Sequence, residues 1–207
     1  MITDNSTVYI VDDDVEFRKS LELLVEMLGY RVIGFSSAES FLEFKNIHRP
    51  ACLILDVFLP NIDGLQLQSK LSQQPDSLPI IFITGHGEIP MGINAMKNGA
   101  VDFLLKPFKQ EDLYKAICQS LVRDKAFVDK NEKKQKINAS ISLLTPRECE
   151  VMKKMITGKL NKQIAAALGI SEKTVRIHRS SLMRKLKITS VADLVRMLEE
   201  IDIIHSA

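Results

Sequence analysis

Apolar residues in the first 122 positions follow two alternating rhythms. Short strand-like runs occupy residues 8–11, 31–35, 52–55, 80–83 and 101–105, each of a length suited to a buried strand. Between them the apolar positions space out. Phe17, Leu21, Leu24, Val25 and Leu28 recur at helical spacing, and Gly29 stands where a helix C-terminal cap belongs. Residues 38–44, a stretch after Gly64, residues 91–97 and a stretch from about Gln110 read as further helices. Strand and helix alternate five times, which predicts an α/β domain with a doubly wound parallel sheet covered on both faces.

Beyond Leu121 the apolar residues thin out. Residues 123–142 are rich in Lys, Asp, Glu and Gln and contain neither Pro nor Gly, so they read as a solvated helical linker continuing the fifth helix. A second, all-α domain then begins sharply over residues 143–207. Thr145 can cap a helix, Pro146 suits its first position, and Glu148 can close a capping box.

Charge divides the chain in the same places. Residues 1–122 carry 16 acidic and 10 basic side chains, a balance of −6, whereas residues 123–142 stand at +3 and residues 143–207 at +5. An acidic first domain suits cations and a basic last one suits a polyanion. No stretch approaches roughly 18 apolar residues, so no membrane span is expected. Residues 1–7 lack the pattern of a secretory signal. The three cysteines, Cys52, Cys118 and Cys149, lack metal-type spacing and read as reduced thiols of a cytoplasmic protein.

Four polar positions directly follow predicted strands: the Asp12-Asp13-Asp14 run, Asp56, Thr84 and Lys106. In an open parallel sheet the carboxyl ends of neighbouring strands share one rim, and ligands bind there. Carboxylates crowded at that rim repel one another until a hard cation joins them. Mg²⁺ takes one or two carboxylates, keeps waters and leaves room for phosphate oxygens. An aspartate beside such a cation is a plausible nucleophile toward phosphorus. Lys106 would neutralise phosphoryl oxygens and Thr84 would donate a hydrogen bond to them. Gly85 and Gly87 keep the adjoining wall small, and an X-Pro bond at Lys106-Pro107 is a place where a cis peptide would aim the lysine.

The strings Val-Asp-Asp-Asp, Leu-Asp-Val-Phe-Leu-Pro-Asn-Ile-Asp-Gly, Phe-Ile-Thr-Gly-His-Gly and Lys-Pro-Phe resemble the signatures of two-component response-regulator receivers. The resemblance implies a flavodoxin-like, five-stranded sheet of order 2-1-3-4-5. It implies that Asp56 is the phosphoacceptor and that Asp12, Asp13, Asp56 and the backbone carbonyl of Phe58 hold Mg²⁺. Thr84 would be the switch hydroxyl, Lys106 the pocket lysine and Phe103 the switch aromatic, its ring turning inward on activation. Phe58-Leu59 stands where many relatives have Arg-Met, a change to which a backbone ligand is indifferent.

In the basic third, residues 161–168 and 172–186 form two helical stretches joined by a short turn at Gly169, with Ser171 as a cap for the second. This spacing fits a helix-turn-helix whose second helix enters a major groove. It fits equally a small helical bundle with a solvated basic face. The fuller strings decide the matter: Leu-Thr-Pro-Arg-Glu, Asn-Lys-Gln-Ile-Ala and Thr-Val-Arg-Ile-His resemble the LuxR-type domain of FixJ/NarL regulators, and Gly-His-Gly-Glu-Ile-Pro-Met resembles the FixJ branch. By position, Arg176, Ile177 and Ser180 would face bases, while Lys173, Thr174, Arg179 and Lys185 would meet phosphates. His178 would either pack or touch the DNA backbone. Val191, Leu194, Val195 and Leu198 form a stripe on a last helix that in this family also pairs two DNA-binding domains.

The resemblance therefore implies a transcription regulator rather than an enzyme. Its partners would be a sensor histidine kinase, an operator in double-stranded DNA, RNA polymerase and, on phosphorylation, a second copy of the chain. Two rivals remain open at this point. The Asp-x-Asp after the first strand also fits haloacid-dehalogenase-type phosphatases, although Pro107-Phe108-Lys109 leads into a helix without their later acidic pair. A regulator that binds DNA without being phosphorylated is the other.

Overall fold

Five strands form where the apolar runs place them: β1 (Thr7–Val11), β2 (Arg31–Phe35), β3 (Ala51–Asp56), β4 (Ile80–Thr84) and β5 (Asp102–Leu105). The computed structural model describes residues 6–85 and 89–201, so Gly87 lies outside the described residues. All four pairings are parallel, and the order is β2-β1-β3-β4-β5. The crossovers are α1 (Val15–Met27), α2 (Ala38–Glu43), α3 (Gly64–Ser72) and α4 (Ile89–Lys97), and α5 (Gln110–Ser142) follows β5.

The period of two along each strand sorts the core into two layers. Tyr9, Val11, Leu53, Leu55 and Phe82 face one way and pack with Phe41 of α2, Leu67 and Leu71 of α3 and Ala95 of α4. Val8, Ile10, Cys52, Ile54, Ile81 and Ile83 face the other way, against Leu21 and Val25 of α1 and Leu113, Ile117 and Leu121 of α5. Strands β1, β3 and β4 are buried along their whole length, so each reads as a continuous apolar run rather than an alternating one.

Helix α5 continues unbroken through residues 123–142, and the two compact units of the chain divide within it, between Asp129 and Lys130. One residue of this segment departs from the solvated reading. Asp124 is buried; its carboxylate accepts from the Ala51 amide at 2.7 Å and from Arg49 Nε at 3.1 Å, and pairs with Arg49 Nη2. The same guanidinium donates to the Asp76 carbonyl at 2.8 Å and lies 4.7 Å from the Phe127 ring centroid. The middle of α5 is thus pinned to the two loops that enter β3 and β4. Asp124→Ala leaves a buried amide unsatisfied and a guanidinium without its carboxylate, a loss of about 3 kcal/mol or more. Calorimetry should show the midpoint of the first unit lowered by roughly 10 °C; a change within about 2 °C would mean that the ion pair adds little.

The second unit is helical: α6 (Pro146–Met155), α7 (Asn161–Leu168), α8 (Glu172–Leu186) and α9 (Val191–Glu199). Thr145 caps α6 and Glu148 completes the capping box, with Pro146 in the first turn. Gly169 takes the left-handed φ of +64° that ends α7, a conformation that a Cβ disfavours, and the Ser171 side chain caps α8. Leu144, Val151, Met155, Ile164, Val175, Leu182, Leu186, Leu194 and Leu198 form a single core beneath these helices. No helix among the described residues is long and apolar enough to cross a membrane.

Candidate functional site

The carboxyl ends of β1, β3, β4 and β5 bring the expected residues together. Asp12, directly after β1, is fully buried, while Asp13 is exposed and Asp56 ends β3 at 7% exposure. Carboxylate oxygens of all three lie within 4.8 Å of one another. Lys106, directly after β5, extends its ammonium between two of them, 2.9 Å from Asp12 Oδ2 and 2.7 Å from Asp56 Oδ2. Its backbone amide donates to the Thr84 carbonyl at 2.8 Å. Thr84, buried at the end of β4, is therefore fixed one rung from the lysine. The Lys106-Pro107 peptide is cis.

Local structure holds the acidic residues in place. Asp12 Oδ1 accepts from the Asp14 amide at 2.9 Å, and the Arg18 side chain donates to the Asp12 carbonyl. Asp14 in turn caps α1 by accepting from Glu16 N and Phe17 N. Asp56 Oδ1 accepts from the Phe58 amide at 3.0 Å, while the Phe58 ring is 48% exposed. The loop after Asp56 then turns tightly into α3. A Cβ on Gly64 would stand 2.3 Å from the Asp56 carbonyl oxygen, so this position admits no side chain without a shift of backbone.

The electrostatics of the pocket favour a cation. Burial pushes the Asp12 carboxyl above its usual range and the Asp56 charge adds to this, while Lys106 opposes it. Burial works to lower the Lys106 ammonium, but its bonds to Asp12 and Asp56 outweigh burial and the net shift is upward. One ammonium thus meets two of the three carboxylates. Three hard oxygen donors within 4.8 Å of one another, the buried Asp12 among them, fit a divalent metal ion.

Phe103 on β5 is half-buried, 6.3 Å from the Phe82 ring centroid. A Cβ on Gly92 of α4 would stand 3.4 Å from the Phe103 ring, so the ring lies close under the α4 backbone.

The second unit presents a different surface. Lys173, Arg176, Ile177, Ser180, Ser181 and Arg184 of α8 line a shallow groove. Ile177 is 60% exposed among these cations and hydroxyls, which suits contact with an apolar base edge such as a thymine methyl. Ser181 and Arg184 lie outside the contact set implied by the resemblance; the signal that finds them is helical spacing, four residues on from Ile177 and Ser180. Two expected phosphate contacts are engaged inside the unit instead. Lys185 Nζ donates to Glu148 Oε2 at 2.7 Å and to the Leu143 carbonyl at 3.1 Å, and Arg179 donates to Asn161 Oδ1 at 2.8 Å. Thr174 is half-buried, its hydroxyl 2.8 Å from that of Ser171.

Comparison with known proteins matches both units. Residues 8–118 match the response regulator receiver domain, and residues 142–198 match the bacterial regulatory proteins of the luxR family. The response regulator protein TmoT of Ectopseudomonas mendocina is 45% identical over 95% of this chain and 89% of its own length. The transcriptional regulatory protein FixJ of Rhizobium meliloti is 41% identical over 92% of this chain and 94% of its own. Among solved structures, the response regulator StyR superposes with a TM-score of 0.84 at 41% identity, covering 95% of this chain and all of StyR. An acidic pocket at the rim of a parallel sheet, a groove of basic side chains along α8 and near full-length likeness converge: the chain belongs to the response regulators that join a receiver domain to a LuxR-type DNA-binding domain.

Proposed function

We propose that Asp56 accepts a phosphoryl group from a sensor histidine kinase and that this modification controls dimerisation and sequence-specific DNA binding by the basic unit. The observation that carries the reading is the Lys106 ammonium set between the Asp12 and Asp56 carboxylates, with Asp13 beside them. Asp12, Asp13, Asp56 and the Phe58 carbonyl would hold Mg²⁺. When bound, the ion neutralises oxygens of the transferring phosphoryl group. The residues of this chain do the rest. Asp56 supplies the nucleophilic oxygen, Lys106 meets a phosphoryl oxygen, and the Thr84 hydroxyl donates to another.

Phosphorylation adds about −1.5 to −2 charge at one strand end. Lys106 and Thr84 would move to meet it, and Phe103, under α4, is the ring placed to follow. The reading continues at the α8 groove, where Arg176, Ile177 and Ser180 face bases and Lys173 meets phosphate. Thr174, Arg179 and Lys185 would join the phosphate contacts with the donors that their internal partners leave over. The division of labour is a receiver over residues 1–122, a helical linker over 123–142 and a DNA-binding domain over 143–207. The protein would act in the cytoplasm, as a homodimer on a two-fold operator, and would contact RNA polymerase there.

The test is DNA binding by the full-length protein, with and without acetyl phosphate and Mg²⁺, to a duplex selected from a random pool by the phosphorylated protein. Pairing two modules is expected to raise apparent affinity by about 10²-fold, with two chains bound per duplex. Equal affinity and stoichiometry in both conditions would leave a constitutive DNA-binding protein as the correct reading.

A further inference from the structure

We infer that Phe17 of α1 is a positioning residue for phosphoryl transfer, its ring face holding the Lys106 ammonium in the pocket. The inference rests on the roles proposed above for Asp56 and Lys106. Lys106 Nζ lies 3.7 Å from the centroid of the Phe17 ring, over its face. An ammonium has three N–H groups, and here two are directed at Asp12 Oδ2 and Asp56 Oδ2. The ring face fills the remaining side with the negative lobe of its quadrupole, which attracts a cation without competing for its proton.

The ring is itself held from two directions. Phe108 packs edge-on against it, with centroids 6.4 Å apart and planes at 90°. The Phe17 amide donates to the Asp14 carboxylate at 3.1 Å, and the Asp14 amide donates to Asp12 Oδ1. The acidic loop, the start of α1 and the lysine therefore close a circuit through Phe17.

This contact differs in kind from the other two. A cation held by Asp12, Asp13 and Asp56 draws on both of the carboxylates that Lys106 meets, whereas an aromatic face is no ligand for a hard metal ion. Among the described contacts of the ammonium, the ring is the partner that survives metal binding. It keeps the charge at the pocket when the carboxylates are otherwise occupied. In the reaction with acetyl phosphate an Asp56 oxygen forms the new bond to phosphorus. The bond from phosphorus to the acetyl oxygen breaks, acetate leaves with its electron pair, and Lys106 meets the charge on the phosphoryl oxygens. An aliphatic side chain at position 17 would fill the space and exclude water but would not hold the cation.

The experiment measures acetyl phosphate-driven phosphorylation of Asp56 in the full-length protein with Mg²⁺, for wild type, Phe17→Leu, Phe17→Tyr and Lys106→Met, and for Phe17→Leu combined with Lys106→Met. Phe17→Leu is expected to slow phosphorylation about tenfold, and Phe17→Tyr to stay within about twofold of wild type. In the Lys106→Met background, Phe17→Leu should change the rate by less than about twofold, because the cation it served is gone. Phe17→Met provides the same comparison if Phe17→Leu does not accumulate as folded protein. Wild-type rates in Phe17→Leu overturn the inference, as does an equal loss in both backgrounds, which marks a merely structural ring. Absence of label on Asp56 in the wild type would instead sink the reading on which the inference rests.

Discussion

Asp56→Asn is expected to abolish both the labelling of the protein by acetyl phosphate and every phosphate-dependent change in DNA binding. An amide oxygen is a poor nucleophile toward phosphorus, and no carboxylate of the pocket stands in the same place. Asp12 is fully buried and bonded to Lys106 and to the Asp14 amide, whereas Asp13 is exposed to solvent. The substitution also removes one of the three carboxylates that converge within 4.8 Å, so the affinity for Mg²⁺ should fall, by about tenfold if one carboxylate ligand contributes on the order of 1.4 kcal/mol. The fold should tolerate the change, because an Asn oxygen can still accept from the Phe58 amide. Mass spectrometry after acetyl phosphate treatment, beside the operator titration, reads both effects. Label retained at wild-type level in Asp56→Asn would transfer the phosphoacceptor role to Asp12 and revive the phosphatase-like alternative.

Much of this pocket is legible before any coordinates. A parallel sheet places every strand's carboxyl end on one rim, so Asp12, Asp56, Thr84 and Lys106 could be assigned to one site from their position after apolar runs. The strand order follows from the family likeness, and its register sets Thr84 opposite Leu105, just before the lysine. What escapes sequence reading is contact between residues whose individual patterns already have an explanation. Phe17 reads as one more apolar position on α1, and nothing in helical spacing says that a lysine 89 residues later lies over its ring. Asp124 belongs by composition to a charged, solvated stretch, yet its partners are an arginine and a backbone amide more than 70 residues earlier. Lys185 sits among cations that suit DNA, and only the packed unit shows its charge turned inward to Glu148. In each case the deciding partner comes from a distant element, where periodicity carries no information.

The Glu148–Lys185 pair leads to the second large effect, a loss of stability of the DNA-binding unit in acid. The Glu148 side chain is almost wholly buried. The Lys185 ammonium, then the Ser181 hydroxyl and the Thr145 amide, hold its carboxyl down to about 2, against an ordinary value of 4.5. A carboxylate with a depressed folded-state pKa contributes stability that is fully present above its unfolded value and lost as pH falls through the folded one. The window therefore runs from about pH 5 down to about pH 2, and its full depth is on the order of 3 kcal/mol. Glu148→Gln keeps an acceptor for the Thr145 amide but leaves the half-buried Lys185 ammonium without its counter-charge. It should destabilise this unit by about 2–3 kcal/mol at neutral pH and remove the acid dependence. Since Lys185 lies in the last turn of α8 and Glu148 in the first turn of α6, the same change should loosen α8, including Ser181 in its groove, and weaken DNA binding. NMR titration of the Glu148 carboxyl in the full-length protein, with urea unfolding of wild type and Glu148→Gln at pH 6 and pH 3.5, measures both quantities. A midpoint near 4.5, or equal stability of the two proteins at pH 6, would reduce the pair to a surface contact of no consequence for the helix it spans.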